Sequence, residues 1–396
     1  MSNRRRTDPS EAAAPPVAPL PRKRPSRWHR PLWWLNMAVV VALLLCYLSI
    51  QVNPVTFWPP AFVGMAYPYL LLVNVLLIGW WAVFRRKRML PSVLVILLGW
   101  SHVGEYVQLI GGSAGPDGAG DGVKVMSYNV RLFDLYNWSH NKETRDHIFI
   151  LLHREDPSIL CLQEFYNHEP GKADGYITKD SLMARWRFTD CHDVYTAHSR
   201  YGHHMGIATF STYPIVKKGV IHFPDDLNNL CIWSDLVIKK DTVRVYNAHL
   251  ASIRFGDEDY RFMKDLAPDT DRDSLASGGK RIAGRLKNAF IRRTTEVETI
   301  VRHMRKSPHP ILYCGDLNDT PMSWGYHHLR GLDLDDAFVE SGSGMGHTYI
   351  GAFPSFRIDH ILHSKALTSW DFNTVAEELS DHRAITCRVA VEKRDL

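Results

Sequence analysis

Eight polar side chains stand at the ends of short apolar runs, where a strand stops and a loop begins. They are carboxylates, carboxamides and imidazoles, the groups that hold divalent cations, orient water and move protons. Each alone has a simpler interpretation, because a carboxylate after a strand is often only a turn or cap residue. Together they are harder to attribute to turns. The eight residues are Asn129, Glu164, His249, Asp316, Asn318, Asp359, Asp381 and His382.

The apolar runs that position these residues are short, as strands are, and a longer helical stretch lies among them. Two of the runs are joined across Lys239-Lys240-Asp241-Thr242, which predicts a hairpin. Strands mixed with helices and long loops are typical of a layered α/β domain. The predicted strands are 123–130, 159–163, 207–210, 230–238, 243–250, 310–314, 358–362 and 384–391, and the predicted helix is 281–305.

The polar residues belong to six motifs that occur in a fixed order. The motifs are Ser-Tyr-Asn-Val (127–130), Gln-Glu (163–164), Asn-Ala-His-Leu (247–250), Gly-Asp-Leu-Asn (315–318), Arg-Ile-Asp-His-Ile (357–361) and Ser-Asp-His (380–382). In this order they resemble the endonuclease/exonuclease/phosphatase superfamily, over residues 122–394. The resemblance implies a four-layer α/β sandwich, with two packed mixed β-sheets flanked by helices, and a metal-dependent phosphoesterase activity.

Phosphoester chemistry gives these residues expected roles. A phosphodiester is negatively charged and hydrolyses slowly, so a site must neutralise its oxygens and orient a water molecule. Oxygen ligands suit Mg²⁺, with Mn²⁺ as the alternative, and the absence of Cys/His ligand spacing argues against zinc. We expect Glu164 to be the principal metal ligand, with Asn129 and Asp381 near the metal.

The resemblance implies that Asp316 orients or deprotonates the attacking water and that Asn318 holds the water or the phosphate. His249 and His382 would donate hydrogen bonds to phosphate oxygens in the transition state. Asp359 would pair with His382, which would raise the pKa of the imidazole and fix its tautomer.

The substrate class stays open at the level of sequence. A nuclease is slightly favoured, because the nucleases share the Gly-Asp-Leu-Asn and Ser-Asp-His motifs. The near-neutral charge of the C-terminal part and a membrane anchor favour a phospholipid or sphingomyelin-type headgroup instead, and an inositol phosphate phosphatase is a further alternative. A catalytically inactive binding domain is a remote alternative, because Glu164, Asp316 and His382 are all present.

The N-terminal part has a different composition, and its basic residues account for the formal net charge of +5. Residues 1–30 are rich in Pro, Ala and Arg and predict a disordered basic arm. Residues 31–110 hold three apolar runs (33–50, 61–84 and 89–110), which predict two to three transmembrane helices. A Gly-rich linker at 111–122 then leads to the catalytic domain at 123–396. This arrangement is similar to a bacterial membrane-anchored branch of the superfamily.

Basic residues alternate between the connections of the apolar runs. Arginines and a lysine precede the first run, residues 51–60 contain neither, and Arg85-Arg86-Lys87-Arg88 follows the second run. By the positive-inside rule the N-terminus and residues 85–88 are cytoplasmic. The third run carries His102 and Glu105 in its second half. If it spans, the protein is a multi-pass protein of the cytoplasmic membrane with an external catalytic domain. If it only lies in the interface, the catalytic domain is cytoplasmic, and we favour the spanning topology.

Three further features carry weaker expectations. Five of the six cysteines lie in apolar runs and should be buried, whereas Cys191 falls in a polar, loop-like stretch. His203 and His204 either line the cleft or belong to an ordinary loop. The basic helix at 280–306 either binds a polyanion or anionic headgroups, or is a solvated outer face.

Overall fold

The computed structural model describes residues 29–112, 115, 122–169, 176–224, 226–265, 271–351 and 355–391. The proposed basic arm at 1–30 therefore lies almost entirely outside the described residues. Most of the proposed linker at 111–122 also lies outside them. Where that segment is described, the Gly112 N–H donates a hydrogen bond to the carbonyl oxygen of Ser341.

Within the described ranges, twelve strands form two mixed sheets of six. The strands are β1 (Val123–Asn129), β2 (Ile159–His168), β3 (Asp190–His198), β4 (His203–Ser211), β5 (Ile215–Phe223), β6 (Asp226–Ile238), β7 (Asp241–His249), β8 (Ile311–Asp316), β9 (Leu334–Asp336), β10 (Asp359–Ser364), β11 (Leu367–Thr374) and β12 (Ile385–Val391). Sheet one has the order β11-β12-β1-β2-β4-β3, and sheet two has the order β5-β6-β7-β8-β10-β9. Each sheet contains one parallel pair, β1 with β2 in sheet one and β7 with β8 in sheet two.

The helices fall into an N-terminal group and a group that covers the sheets. They are α1 (His29–Ser49), α2 (Pro59–Met65), α3 (Tyr67–Phe84), α4 (Leu90–Leu98), α5 (Trp100–Val103), α6 (Thr144–Glu155), α7 (Thr178–Arg185), α8 (Asp257–Lys264), α9 (Arg272–Met304), α10 (Trp324–Arg330) and α11 (Ala337–Ser341). The long helix α9 begins nine residues before its predicted start, because Asp271 caps it by accepting a hydrogen bond from the Ser274 N–H.

Three apolar clusters account for the layers. The middle cluster joins the two sheets, with Val125 and Cys387 from sheet one against Val245 and Leu312 from sheet two. A second cluster lies between sheet one and helices α6 and α7, and a third lies between sheet two and helices α9 and α10. The order helix, sheet, sheet, helix confirms the predicted four-layer α/β sandwich.

The alternation of side chains along a strand explains why polar residues lie at the strand ends on the faces where the two sheets pack together. Along β1, Met126 and Tyr128 pack toward the helices, whereas Val123 and Val125 pack between the sheets. The same period of two carries Asn129 to the inter-sheet side at the end of β1. On β8, Leu312 and Cys314 precede Asp316 in the same way. The sandwich is thus apolar in its middle and polar where these strands end.

The third apolar run, at 89–110, differs from the single spanning helix that we expected. It forms α4 and α5, of 9 and 4 residues, with a break at Gly99. A Cβ atom at Gly99 would lie 2.1 Å from the Tyr47 ring, so the glycine permits a close approach of α1. Beyond the break, the Glu105 carboxylate is buried and binds Arg330 of α10 at 2.9 Å. The second half of this run therefore packs on the sandwich.

The N-terminal helices contact the sandwich directly at Met322. The hydroxyl of Ser49, at the end of α1, donates to the Met322 carbonyl oxygen at 2.9 Å. The buried hydroxyl of Tyr106 accepts from the Met322 N–H at 3.0 Å. Arg357, which precedes β10, donates to the carbonyl oxygen of Glu105. These contacts define a hydrogen-bonded joint between the two parts.

All six cysteines are buried and unpaired. The expectation that Cys191 lies in a loop was wrong, because the residue lies in β3 and packs in the cluster beneath helices α6 and α7. Its strand is polar in sequence because it is the edge of sheet one.

Candidate active site

The eight predicted residues converge at one end of the sandwich. Residues from both sheets line a single pocket there. Five of the predicted residues are in its lining: Glu164, Asp316, Asn318, Asp381 and His382. The other three touch these directly, through Asn129 to Glu164, His249 to Asp316 and Asp359 to His382. The ends of the parallel pairs β1–β2 and β7–β8 bring them together, as the chain order alone does not show.

His382 forms the centre of a buried charged pair. Its Nδ1 lies 2.9 Å from Oδ2 of Asp359, and its Nε2 lies 3.7 Å from Oδ2 of Asp316. Burial alone would lower the pKa of His382, but Asp359 and Asp316 outweigh it and raise that pKa to about 10. The expected pairing of Asp359 with His382 is thus present in the geometry. The imidazole is a cation at neutral pH, and Asp359 holds its orientation.

Asp316 is fully buried and receives several hydrogen bonds. The side-chain amide of Asn129 donates to its Oδ2 at 3.1 Å, and the Asn318 N–H donates to its Oδ1 at 2.7 Å. Burial raises the pKa of Asp316 to about 6, which the nearby His382 opposes and Asp359 reinforces. Nε2 of His249 lies 3.7 Å from the same carboxylate. Burial lowers the pKa of His249, so its imidazole is neutral beside the cationic His382.

Glu164 reaches the pocket through a β-bulge. The pairing of β2 with β4 shifts between Leu162 and Phe165, and Glu164 has a φ of 47°. In a regular strand its side chain would share the face of Leu162 and point toward the helices. The left-handed backbone turns it the other way, so that Asn129 donates to its Oε1 at 3.2 Å. A non-glycine residue in this conformation is strained, and such strain is common at functional sites.

The donor set at this end fits a hard divalent cation. Burial raises the pKa of Glu164, and the neighbouring Asp381 carboxylate raises it further. Two carboxylates that repel each other beside a carboxamide are oxygen donors, which Mg²⁺ and Mn²⁺ prefer. Arg131 lies 3.4 Å from Asp381 and offsets part of this negative charge. On the other side of the pocket, Asp316, Asp359 and His382 are also close enough together to hold an ion.

Several residues at the site were not among the eight predicted site residues. Arg293 of α9 is buried, lines the pocket and lies 3.2 Å from Asp319. Thr348 accepts the N–H groups of Ile358 and Asp359 through its hydroxyl, which fixes the start of β10. The Tyr349 ring packs against His382 with the centroids 5.4 Å apart. Only proximity in the fold links these residues to the motifs.

The weaker sequence expectations resolve differently. His203 and His204 lie in β4 and not in a loop, where they contact Tyr166 and Glu169. Several arginines of α9 form ion pairs with acidic residues, as Arg281 and Arg285 do with Asp259. This helix is therefore less positive than its sequence suggests.

Two mixed sheets packed face to face, with acid, amide and imidazole groups where their parallel strands end, define a phosphoesterase of the four-layer α/β class. The comparisons with known proteins confirm the resemblance. The profile of the Endonuclease/Exonuclease/phosphatase family matches residues 126–382, and a domain of unknown function matches residues 29–106. The chain belongs to the Endonuclease/Exonuclease/phosphatase family, whose members are hydrolases acting on phosphoester bonds and use divalent metals.

Solved structures are similar to this chain at low sequence identity. An endonuclease/exonuclease/phosphatase from Bacteroides vulgatus is 16% identical with a TM-score of 0.50, over 68% of this chain and 99% of that one. The human Nocturnin catalytic domain is 18% identical with a TM-score of 0.48, over 69% and 95% of the two chains. Mannosyl-6-phosphatase from Bacteroides thetaiotaomicron is 16% identical with a TM-score of 0.45, over 68% and 99%. No curated protein matches the chain.

Proposed function

We propose that this protein is a membrane-anchored, divalent-metal-dependent enzyme that hydrolyses phosphodiester bonds. The observation that supports it most is the cluster of Asp316, Asp359 and His382 beside Asn129 and Glu164 in one pocket. The cluster combines a cation held by a carboxylate, a second buried carboxylate, and oxygen donors for a metal. Hydrolysis of a phosphodiester needs all three kinds of group.

Each residue has a task that follows from its contacts. His382, held as a cation by Asp359, donates from Nε2 to a phosphate oxygen. Asp316 accepts a hydrogen bond from the attacking water and orients it, while Asn129 and Asn318 fix the carboxylate. His249, neutral in its buried position, donates a second hydrogen bond to the phosphate.

The metal ligands of this proposal are Glu164, Asn129 and Asp381. A bound Mg²⁺ or Mn²⁺ ion would neutralise the charge that develops on the phosphate oxygens. Asn129 contacts both Glu164 and Asp316, so it couples the metal-binding carboxylate to the water-orienting one.

The metal requirement provides the test. Full-length protein in detergent is incubated with the soluble diester bis(p-nitrophenyl) phosphate, first as purified and then with excess chelator. We expect hydrolysis to stop with chelator and to return with Mg²⁺ or Mn²⁺. Full activity in excess chelator would contradict the metal-dependent mechanism.

The membrane anchor is proposed from α1 and α3. These helices have 21 and 18 residues and mean hydropathies of 2.0 and 1.7, so by length and composition they can cross a bilayer. Only 33% and 22% of their apolar windows are buried, so most of this surface faces outward. A core helix of a soluble protein would be mostly covered.

The sidedness is proposed from the ends of the helical group. Arg88 donates to the carbonyl oxygen of His29 at one end, whereas Ser49 and Tyr106 reach Met322 of the sandwich at the other. The basic residues 85–88 and the catalytic domain therefore lie at opposite ends. If the basic end is cytoplasmic, the catalytic domain is outside the cytoplasmic membrane.

Reporter fusions after residue 120 test this topology in cells. A phosphatase reporter that is active only outside the cytoplasm should be active there, and a cytoplasm-dependent fluorescent reporter should be dark. The reverse pattern would overturn the sidedness.

A further inference from the structure

The pocket has an apolar wall in addition to its polar floor. Met65, at the end of α2, lines it together with Ile253 and Phe255 from the loop after β7, and with Phe356 and Ile358 from the segment before β10. Met65 belongs to the N-terminal helices and not to the sandwich. The N-terminal part is therefore a component of the substrate site as well as a candidate anchor.

Contacts around α2 hold this wall in place. Ala61 of α2 is buried against Leu286 and Phe290 of α9, and Met65 and Ile253 pack on the same cluster. The rings of Phe62 and Phe290 meet edge to face with their centroids 6.4 Å apart. The short helix thus lies between α9 and the loop that follows His249.

The wall continues onto the exposed face of α3. The Tyr69 ring meets Phe356 edge to face at 6.3 Å, so the rim of the pocket touches this helix. Tyr69, Leu72 and Leu76 are 45%, 56% and 64% exposed. Their spacing of three and four residues places them on one side of α3, which gives an apolar surface that runs from the pocket along a candidate membrane span.

Interfacial residues lie next to the same wall. Phe57, just before α2, is 57% exposed, and the exposed Lys287 of α9 lies over the Trp58 ring. Aromatic rings beside a lysine are typical of the headgroup region of a bilayer. With α1 and α3 in a bilayer, this arrangement would bring the pocket mouth near the level of the lipid phosphates.

The charges near the pocket do not favour a long polyanion. The nearby arginines are paired with carboxylates of the same protein, which leaves less positive potential for a nucleic-acid backbone. The pairs are Arg254 with Asp226, Arg281 with Asp259, Arg285 with Glu258 and Asp259, Arg292 with Asp226, and Arg293 with Asp319.

We infer that the substrate is a phosphodiester lipid that stays in the bilayer, with its apolar part along Tyr69, Met65 and Phe356 and its phosphate at His382 and Asp316. This inference rests on the proposed phosphodiesterase activity. The oxygen of water bonds to phosphorus, the P–O bond to the leaving alcohol breaks, and a proton from the water ends on that alcohol oxygen. The products are a phosphomonoester and an alcohol.

The test compares three substrates with the full-length protein. They are vesicles of phosphatidylethanolamine, phosphatidylglycerol and sphingomyelin, single-stranded DNA and RNA oligomers, and soluble bis(p-nitrophenyl) phosphate. We expect hydrolysis of lipid in the vesicles and of the soluble diester. Hydrolysis of the soluble diester and oligomers with intact lipids would overturn this inference alone. Failure with all three substrates would overturn the proposed function as well.

Variants of the wall make the test specific. Met65→Gln should lower the ratio of kcat/KM for lipid to kcat/KM for the soluble diester about tenfold, because a polar group replaces an apolar contact. Met65→Leu keeps the wall apolar and should retain the wild-type ratio. Met345→Gln, at an exposed methionine outside the pocket lining, is the control. An unchanged ratio in Met65→Gln would contradict the lipid-binding wall.

Discussion

The two sheets contribute unequal halves to the site. Sheet two supplies Asp316 and Asp359, whose side chains are each 1% exposed, and both contact the imidazole of His382. Sheet one supplies Glu164 and the Asp381 loop, whose carboxylates are 35% and 24% exposed. One half is a closed network of charges that neutralise one another, and the other is an open group of oxygen donors. In the proposed mechanism, proton handling and metal binding would come from different sheets.

His382 connects these halves. It precedes β12 of sheet one in the sequence, but its ring contacts the carboxylates of Asp316 and Asp359 in sheet two. The loop that carries it is bound on both sides, since Ser380 donates to the Asn129 carbonyl oxygen and Arg383 N–H donates to that of Thr348. We expect changes in the closed half to affect turnover. Changes in the open half should affect the concentration of metal that activity requires.

The largest effect is expected in the closed half. Asp316→Asn and His382→Ala should each lower turnover of bis(p-nitrophenyl) phosphate by roughly 10²–10⁴-fold, the range for loss of acid–base or electrostatic assistance. Turnover is measured at saturating Mg²⁺, and thermal unfolding checks that the variants fold. The exposed Asp241→Asn and His222→Ala serve as controls. Turnover near that of the wild type in either site variant would refute the role of this half.

Sheet two also contains a buried ion pair, formed by Asp336 at the end of β9 and Arg357 just before β10. Arg357 lies 2.9 Å from Asp336, both fully buried, and Arg357 lowers the pKa of Asp336 to about 2 against the effect of burial. Arg357→Leu leaves that carboxylate unpaired, so we expect a loss of about 3–5 kcal/mol in the free energy of unfolding. Denaturant titration measures it. The control is Arg187→Leu, which breaks an exposed pair with Asp156 and should cost under about 1 kcal/mol. Equal losses in the free energy of unfolding in both variants would show that the buried pair stabilises the protein no more than the exposed pair does.

The open half should respond in its metal requirement. Glu164→Gln removes one anionic ligand, so we expect the Mg²⁺ concentration for half-maximal activity to rise about tenfold or more, as outer partners alone change affinity by roughly 10–100-fold. A Mg²⁺ titration of turnover measures this. Glu377→Gln, at an exposed carboxylate that pairs with Arg154, is the control. An unchanged Mg²⁺ requirement in Glu164→Gln would remove this residue from the ligand set.

The smallest effect concerns the loop after His249. Glu296 accepts the Ala251 N–H at 2.8 Å, and burial raises the pKa of this carboxyl to about 7. The folded state therefore binds this proton more tightly than the unfolded state. The resulting stability is complete below about pH 4.5 and is lost as the pH rises through 7.

Glu296→Gln should flatten that pH dependence. We expect it to stabilise the protein at pH 8 relative to pH 5 by about 1–2 kcal/mol, since one unit of pKa shift corresponds to about 1.4 kcal/mol and relaxation reduces the effect. Melting curves at the two pH values measure it, with the exposed Glu143→Gln as control. Parallel pH profiles of Glu296→Gln and the wild type would exclude Glu296 as the source.

The contrast between inner and edge strands explains what the sequence could predict. The eight predicted strands are the inner strands of the two sheets, and each overlaps its observed counterpart. The four strands that we did not predict are the edges β3, β5, β9 and β11. Inner strands are covered on both faces and are rich in apolar residues. In edge strands apolar residues alternate with charged ones, so their sequences resemble those of loops.

The residues of the site also divide into those that the sequence could predict and those that it could not. Motif residues at strand ends were recognised because a polar side chain after an apolar run is conspicuous, and Asp316 is an example. Met65 was not recognised, because it lies on a helix whose own pattern is explained by packing. Arg293 was anticipated only as one of the basic residues of the helix at 280–306 and not as a residue of the pocket. Only the fold brings them to the pocket. The bulge at Glu164 was also missed, so β2 was predicted five residues too short.

The joint at Met322 has a consequence for the distance between the pocket and a bilayer. A flexible tether would let the pocket sample many heights above a bilayer, but Ser49 and Tyr106 bind Met322 directly. With α1 and α3 inserted, the height and tilt of the pocket would be fixed by side-chain contacts. The pocket would then bind phosphates at one depth of the headgroup layer, and phosphates held farther from the bilayer would lie out of its reach.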